Sequence, residues 1–430
     1  MSEARAILVG AGEPRYVAEL GRLAATLGMK VVGVMEQGRR DGAGYLGRGK
    51  RKELGELVRR EEATFVVSDD ELTASQARVL EKGAGVSVVD RTELIIRIFE
   101  AHARDAASRL EVELADLEYR LPRVKGRNPE LSRLGGGAGG ARRGPGEQQL
   151  EYDRRVIRGR IETINRKLRE EKAGREVRGA RLKEGGLPTV ALVGYTNAGK
   201  TTILNALSGA GRSTRDRLFE TLETTARLVE GGAKGGARNG SDGAGARPDF
   251  VVTDTVGFIR KLPTQLVHSF ASTLEAARDA DIMVICADAS SEALEDEVAT
   301  VRRTLADGVA FGVAFGAEDA RESADDPVLC LNKMDLVPEK RAVEVSKEYP
   351  EAVRISALVG CEPLLEEIYR RISSHRERME VLIPHADYRA ASRLYGLAEI
   401  HDQRTTAAGV WMDVSLPRAV STRYSHYAQT

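Results

Sequence analysis

Short apolar runs alternate with stretches of helical period along most of this chain, and the alternation changes character three times. In residues 1–92 the runs 6–9, 30–35, 64–67 and 86–89 read as strands, separated by helical patterns at 14–28, 50–61 and 73–82. Strands alternating with helices predict a parallel sheet, here in a small N-terminal α/β domain. Residues 93–186 have a different character. Leu110, Leu114, Leu117 and Leu121 form one stripe, and Leu150, Ile157, Ile161, Ile164 and Leu168 a second, both flanked by dense charge. That pattern predicts two helices paired as a coiled-coil-like arm. Strand signals resume at 187, with buried runs at 190–193, 249–253 and 328–331, and a third domain is expected to reach residue 375. In the remaining 376–430 a helical pattern at Tyr388, Leu394, Tyr395 and Leu397 precedes a strand in which Val410, Met412, Val414 and Leu416 alternate with Trp411, Asp413 and Ser415. This tail reads as too short to fold alone.

Three segments interrupt the pattern. Residues 122–146 are glycine-rich and carry Arg123, Lys125, Arg127, Arg133, Arg142 and Arg143 against Glu130 alone, a net of +5. A basic loop at the tip of a helical pair suits a phosphate backbone, although such composition is also that of a plain linker. Residues 231–248, with seven Gly and four Ala, and residues 307–327 read as loop insertions. In the N-terminal domain, Gly10-Ala-Gly12 lacks the third glycine of a dinucleotide fingerprint. Tyr45-Leu-Gly-Arg-Gly-Lys50 reads either as a turn before a helix or as a contact for an external phosphate.

Bulk composition limits the class more than the function. The chain has 430 residues, 42% hydrophobic and 30% charged, with no net charge, as expected of a multidomain protein. Its three cysteines, Cys286, Cys330 and Cys361, are scattered, so neither a disulfide framework nor a zinc site is indicated, and buried thiols are expected. No apolar run of 18 residues occurs and the N-terminus enters a strand directly, so a cytoplasmic protein without stable membrane association, and a monomer, is expected.

The chemistry is concentrated in the third domain. Gly194-Tyr-Thr-Asn-Ala-Gly-Lys-Thr201 satisfies a P-loop, follows a buried strand and precedes a helix, here at 202–207. In that setting Gly194, Tyr195, Thr196, Asn197, Ala198, Gly199 and Thr202 wrap phosphate with backbone N–H groups. Lys200 reaches the terminal phosphates and Thr201 ligates Mg²⁺. Asp254-Thr-Val-Gly257 supplies a carboxylate for the same cation through water, and a glycine N–H for the γ-phosphate. Asn332-Lys-Met-Asp335 follows another strand. Its Asp335, expected to be buried, would accept from N1–H and the amino group of guanine, a pair that adenine lacks. Ser356-Ala-Leu358 offers an N–H, at Ala357, for guanine O6. All four motifs fall in order at predicted strand ends, where nucleotides bind in open α/β sheets. The ligand read from them is GTP, with GDP as product.

Two positions bear on hydrolysis. Many such enzymes orient the attacking water with a Gln after the D-x-x-G; here the residue is Phe258, which neither donates nor accepts and also suits a core. Slow intrinsic turnover, completed by a partner or a monovalent cation, is therefore expected. Asn197 is a candidate for K⁺, or for a purely structural role in the loop. Residues 219–227 lie where a switch threonine belongs. Thr221 is preferred as the cap on Mg²⁺ and γ-phosphate, with Thr224 or Thr225 as alternatives.

These pieces together resemble the HflX family of GTPases in the Obg–HflX group, over nearly the whole chain. The most specific residues are Gly144-Pro-Gly-Glu-Gln-Gln-Leu-Glu151 and Asp254-Thr-Val-Gly-Phe-Ile-Arg-Lys-Leu-Pro263. Asp90-Arg-Thr-Glu-Leu94, Phe219-Glu-Thr-Leu222 and 45–50 add to them. Glu223 stands where the family pattern usually has Asp, and Val359-Gly-Cys-Glu362 is less typical. The resemblance implies a GTPase that contacts the large ribosomal subunit through its N-terminal domain and basic loop, is stimulated by it, and acts in ribosome dissociation or rescue. A GTP-regulated protein remodelling free RNA is the alternative. A membrane-surface signalling GTPase is a third class, opposed by the lack of a lipidation motif.

Overall fold

A computed structural model describes the chain except residues 1–3, 12–16, 127–144, 185–186, 210–224, 232–246, 262, 264–265, 267–276, 308–325, 375 and 430. Chain contacts divide it into two units: 1–172 with 216–223 and 261–270, and the remainder.

The first unit holds a four-stranded parallel sheet of order β2-β1-β3-β4, from strands β1 (Arg5–Ala11), β2 (Lys30–Gln37), β3 (Phe65–Ser68) and β4 (Ser87–Val89). Helices α1 (Val17–Thr26), α2 (Arg48–Arg60) and α3 (Ala74–Ala84) connect the strands, as the alternation predicts. The 45–50 segment is a turn into a helix. Tyr45 and Leu46 are buried, and the Tyr45 hydroxyl accepts from Ala11 N–H and donates to Asp70. Gly47 then caps α2. Burial pushes the Tyr45 phenol well up, so it remains a neutral donor.

One helix escaped the sequence reading. α4 (Arg91–His102) runs across the 92/93 boundary and packs on α1 and β3. Asp90 caps it by accepting from Glu93 N–H at 2.9 Å, and also accepts from Leu72 N–H. Arg91, 1% exposed, reaches Asp69 at 2.8 Å and Glu19 at 3.1 Å. A fully buried guanidinium between two carboxylates satisfies the rule that buried charge is paired. Because α4 covers α5 (Ala106–Arg120), the buried stripe of α5 runs Ser108–Val112–Ala115–Tyr119, with Leu114 beside it. Leu110, Leu117 and Leu121 are only half-buried. The second arm helix, α6 (Pro145–Glu184), begins with a proline at its first position, where the missing N–H costs nothing. Arg160 on it holds Glu113 of α5 with two hydrogen bonds of 2.6 and 2.7 Å.

The second unit carries a six-stranded sheet of order β10-β9-β8-β5-β7-β6. Its strands are β5 (Thr189–Gly194), β6 (Thr225–Val229), β7 (Phe250–Asp254), β8 (Ile282–Asp288), β9 (Val328–Asn332) and β10 (Val353–Arg354), and β6 alone runs antiparallel. β5, central and apolar, lies between β8 and β7, with α7 (Lys200–Leu207) leaving its end. A parallel strand covered on both faces reads as a continuous apolar run, which is why 190–193 was legible. All three cysteines are free and lie in one apolar cluster of this sheet, Cys286 opposite Cys330. Burial pushes the Cys361 thiol up to about 11, and the hydrogen bond with Cys286, together with burial, holds the Cys330 thiol well above its usual value.

The C-terminal segment holds more than one strand. β11 (Arg376–Pro384), β12 (Glu399–Thr405) and β13 (Gly409–Pro417) form an antiparallel sheet of order β11-β13-β12. Helices α11 (Tyr388–Leu397) and α12 (Arg418–Tyr424) pack on it (after α8, Leu294–Asp307; α9, Glu339–Glu348; and α10, Glu362–Ser374). Val381, Ile383, Leu394, Met412, Val414, Leu416 and Val420 form its own apolar cluster. The tail expected to be too short to fold alone carries an apolar cluster of its own; the charged residues of β11 and β12 hid both strands.

Two outcomes follow from this packing. Arg91→Ala removes the buried guanidinium that bridges Glu19 and Asp69, Asp69 keeping Lys261 at 3.0 Å, and removing one partner of a buried pair costs about 3–5 kcal/mol. The urea midpoint of the first unit should fall accordingly, whereas Arg378→Ala, at an exposed pair with Asp413, should barely move that of the second. Thiol titration at pH 8 should find no fast-reacting cysteine in the folded protein, and all three in urea.

Candidate active site

The candidate residues converge at the carboxyl ends of β5, β7 and β9, where Gly194, Asp254 and Asn332 close their strands. A Cβ on Gly194 would lie 2.2 Å from the Cys286 carbonyl oxygen, so only glycine lets the loop leave the central strand this closely. Asn197 and Gly199 follow with φ of +64° and +88°. Asparagine tolerates that left-handed conformation better than most side chains, which supports the structural reading of Asn197. A Cβ on Gly199 would meet Asn332 Nδ2 at 2.2 Å, so the P-loop and the 332–335 motif are in direct contact.

Asn332 is the brace between three motifs. Its Nδ2 donates to Ala198 O at 3.0 Å and its Oδ1 accepts from Ala357 N–H at 2.9 Å. The Ala357 amide expected to meet guanine O6 is thus engaged with Asn332. Met334 N–H donates to Ile355 O, and Ser356 O accepts from Val359 and Gly360, which fixes the 355–360 turn. Lys333 takes φ of +62° and places its Nζ 2.7 Å from Asp288, at the end of β8. Asp288 was missed in the sequence, although it ends an apolar run as the other motifs do. Asp335 is exposed, contrary to the burial expected, because it lies on a single 3₁₀ turn at the rim; Leu358 is 81% exposed beside it in sequence order after Ala357.

Charge is gathered at the other end of the loop. Lys200, buried, donates to Gly194 O at 3.1 Å and Tyr195 O at 2.9 Å. Burial lowers its pKa, and attraction to the buried Asp254 opposes that shift. Thr201 Oγ1 donates to Asp254 Oδ2 at 2.6 Å, so two of the three residues assigned to Mg²⁺ are already neighbours. Paired oxygen donors of this kind fit a small hard cation. Thr202 sits in the same first helical turn, half-buried.

The segment after β7 is joined to the P-loop by its backbone. Phe258 N–H donates to Gly194 O at 3.0 Å, and Thr196 N–H donates to Phe258 O at 2.8 Å. Arg260 N–H donates to the Tyr195 hydroxyl at 2.9 Å, a role for Tyr195 beyond its main chain. Phe258 itself is 1% exposed, which supports its core reading and keeps its ring out of any polar role. A Cβ on Gly257 would meet Thr196 Cα at 2.8 Å and Lys200 Nζ at 3.0 Å, so D-x-x-G, loop and lysine close on one point. Thr221 and Thr224 lie outside the described residues; Thr225 opens β6 opposite Asp254. Of the basic loop, residues 127–144 also lie outside them, and Arg123 is committed elsewhere. Its guanidinium bonds Leu72 O at 2.7 Å and Asp90 at 3.1 Å and stacks on Tyr119 at 3.5 Å.

Comparison with known proteins agrees with this geometry. Residues 15–100 match the GTP-binding GTPase N-terminal family, 102–181 the GTP-binding GTPase middle region, and 189–313 the family described as 50S ribosome-binding GTPase. The GTPase HflX of Caldanaerobacter subterraneus is 36% identical over 98% of this chain and 92% of its own length. That of Escherichia coli is 34% identical over 87% of this chain and 82% of its own length. A Sulfolobus solfataricus GTP-binding protein solved with GDP aligns at a TM-score of 0.43 and 21% identity over 86% of this chain and 97% of its own, a likeness too distant to carry weight. No described helix is long and apolar enough to cross a membrane. With its P-loop, D-x-x-G and N-K-x-D motifs assembled at the carboxyl ends of one sheet, and with relatives of this identity along its length, the chain belongs to the HflX family of GTPases, which bind and hydrolyse GTP.

Proposed function

We propose that this chain is a slow GTPase whose turnover is set by the large ribosomal subunit, and that its nucleotide state controls its affinity for that subunit in dissociation or rescue. The observation that carries the reading is Phe258: buried, and bonded to the P-loop through its backbone, it leaves the water-orienting amide without a side chain to supply it. Its match to the family described as 50S ribosome-binding GTPase supports the ribosome as the partner.

In this reading Lys200 and the amides of 194–202 hold the phosphates and offset the charge that develops as water attacks the γ-phosphorus in line. Thr201 and, through water, Asp254 hold Mg²⁺, with Thr221 capping it; the cation, when bound, neutralises phosphate charge. Gly257 N–H reads the γ-phosphate. Asp335 selects guanine, Lys333 lies along the base, and the 356–358 turn closes over it. Asn197 is the candidate for K⁺. The basic residues of 127–144 lie along ribosomal RNA, whereas Arg123 serves the N-terminal fold.

Turnover should rise strongly when large subunits are added in K⁺, and Lys200→Ala should abolish it. Tight GTP binding without stimulation would transfer the role to free RNA. Deleting 127–144, which spares Arg123, should remove the stimulation and leave basal turnover intact; unchanged stimulation would exclude the loop as the contact. Asp335→Asn gives up two hydrogen bonds to a charged acceptor, each about 1.5–3 kcal/mol. GTP affinity should then drop on the order of 10²-fold or more in a titration with a fluorescent guanine nucleotide.

A further inference from the structure

Among the described residues, two buried side-chain hydroxyls have no hydrogen-bond partner, Thr196 Oγ1 and Ser356 Oγ, and both belong to nucleotide motifs. Native proteins leave few such groups unpaired. The contrast with neighbouring hydroxyls is direct: Thr255 Oγ1, more deeply buried, donates to Leu192 O at 2.7 Å, and Ser208 Oγ donates to Leu204 O at 2.7 Å. Those two are satisfied by the fold; Thr196, 7% exposed, is not.

The rest of Thr196 is committed. Its N–H donates to Phe258 O, and its Cα and Cγ2 lie 2.8 and 2.9 Å from the position of a Cβ on Gly257. The methyl branch therefore packs on the glycine of the D-x-x-G, and the hydroxyl is the other branch of the same β-carbon. Lys200 Nζ lies 3.0 Å from that same Gly257 position. Thr196, Gly257 and Lys200 thus surround the place where the terminal phosphate is read.

We propose that Thr196 is a further catalytic residue, whose hydroxyl donates a hydrogen bond to a γ-phosphoryl oxygen of GTP. The proposal rests on the GTPase reading of this site and adds a side-chain contact to it. During hydrolysis the water oxygen bonds to the γ-phosphorus and the bond from that phosphorus to the β–γ bridging oxygen breaks. The electron pair leaves with GDP, and the water proton ends on the released phosphate. Thr196 keeps its own proton throughout. A fixed neutral donor stabilises charge gathering on the equatorial oxygens without adding a charge that would also tighten GDP.

The test uses the full chain with Thr196→Val, which keeps the methyl and the shape, and Thr196→Ser, which keeps the hydroxyl. Single-turnover hydrolysis is measured alongside affinity for GDP and for a non-hydrolysable GTP analogue. For the valine variant, hydrolysis and analogue affinity should each fall about tenfold or more, with GDP affinity held within about twofold and serine restoring most of the loss. Wild-type turnover in the valine variant would overturn the proposal. So would a parallel loss of GDP and analogue affinity, the mark of a residue that only shapes the loop. Absence of turnover in the wild-type chain would instead strike at the GTPase reading itself.

Discussion

The active site depends on one backbone junction. Gly194 leaves the central strand against the Cys286 carbonyl, and the segment after β7 bonds to it through Phe258 N–H while Thr196 N–H returns the bond. These contacts use main-chain groups that must be paired when buried, so they set the position of Lys200, Thr201 and Asp254 before any side chain is considered. A side chain at Gly194 would break the first approach, and a longer one at Gly257 would strike Thr196 and Lys200.

The guanine side is built differently. Asn332 keeps its strand pairing with Asp288 and adds two side-chain hydrogen bonds, to Ala198 and Ala357, and so links P-loop, base-reading motif and closing turn. Lys333 is drawn to Asp288 rather than left to solvent. Asp335 and Leu358, by contrast, are exposed at the rim, where a base can reach them.

The first unit solves a separate problem. Its charged residues are turned inward and paired: Arg91 with Glu19 and Asp69, Arg123 with Asp90. Asp90 also caps α4 and accepts from Leu72 N–H, and burial raises its pKa against those bonds. The Asp90-Arg-Thr-Glu-Leu94 motif is therefore explained by the fold of this unit and needs no ligand. The same holds for Tyr45-Leu46, which plug the core beside β1.

Strong local signals were legible in the sequence. Buried parallel strands are continuous apolar runs, and the P-loop, D-x-x-G and N-K-x-D each follow one, so the nucleotide, the strand ends and the order of motifs could be read directly. What depends on distant partners could not. Helix α4 hides the true buried face of α5, and cross-strand pairing alone reveals the C-terminal sheet, because charged edge strands carry a weak pattern. That Arg123 bonds Asp90, that Ala357 N–H is spoken for by Asn332, and that the fold gives the Thr196 hydroxyl no partner are facts of tertiary contact. Sequence determined which chemistry is present, because bond-forming groups are local. Tertiary structure decided which of those groups are already satisfied, because their partners come from far along the chain.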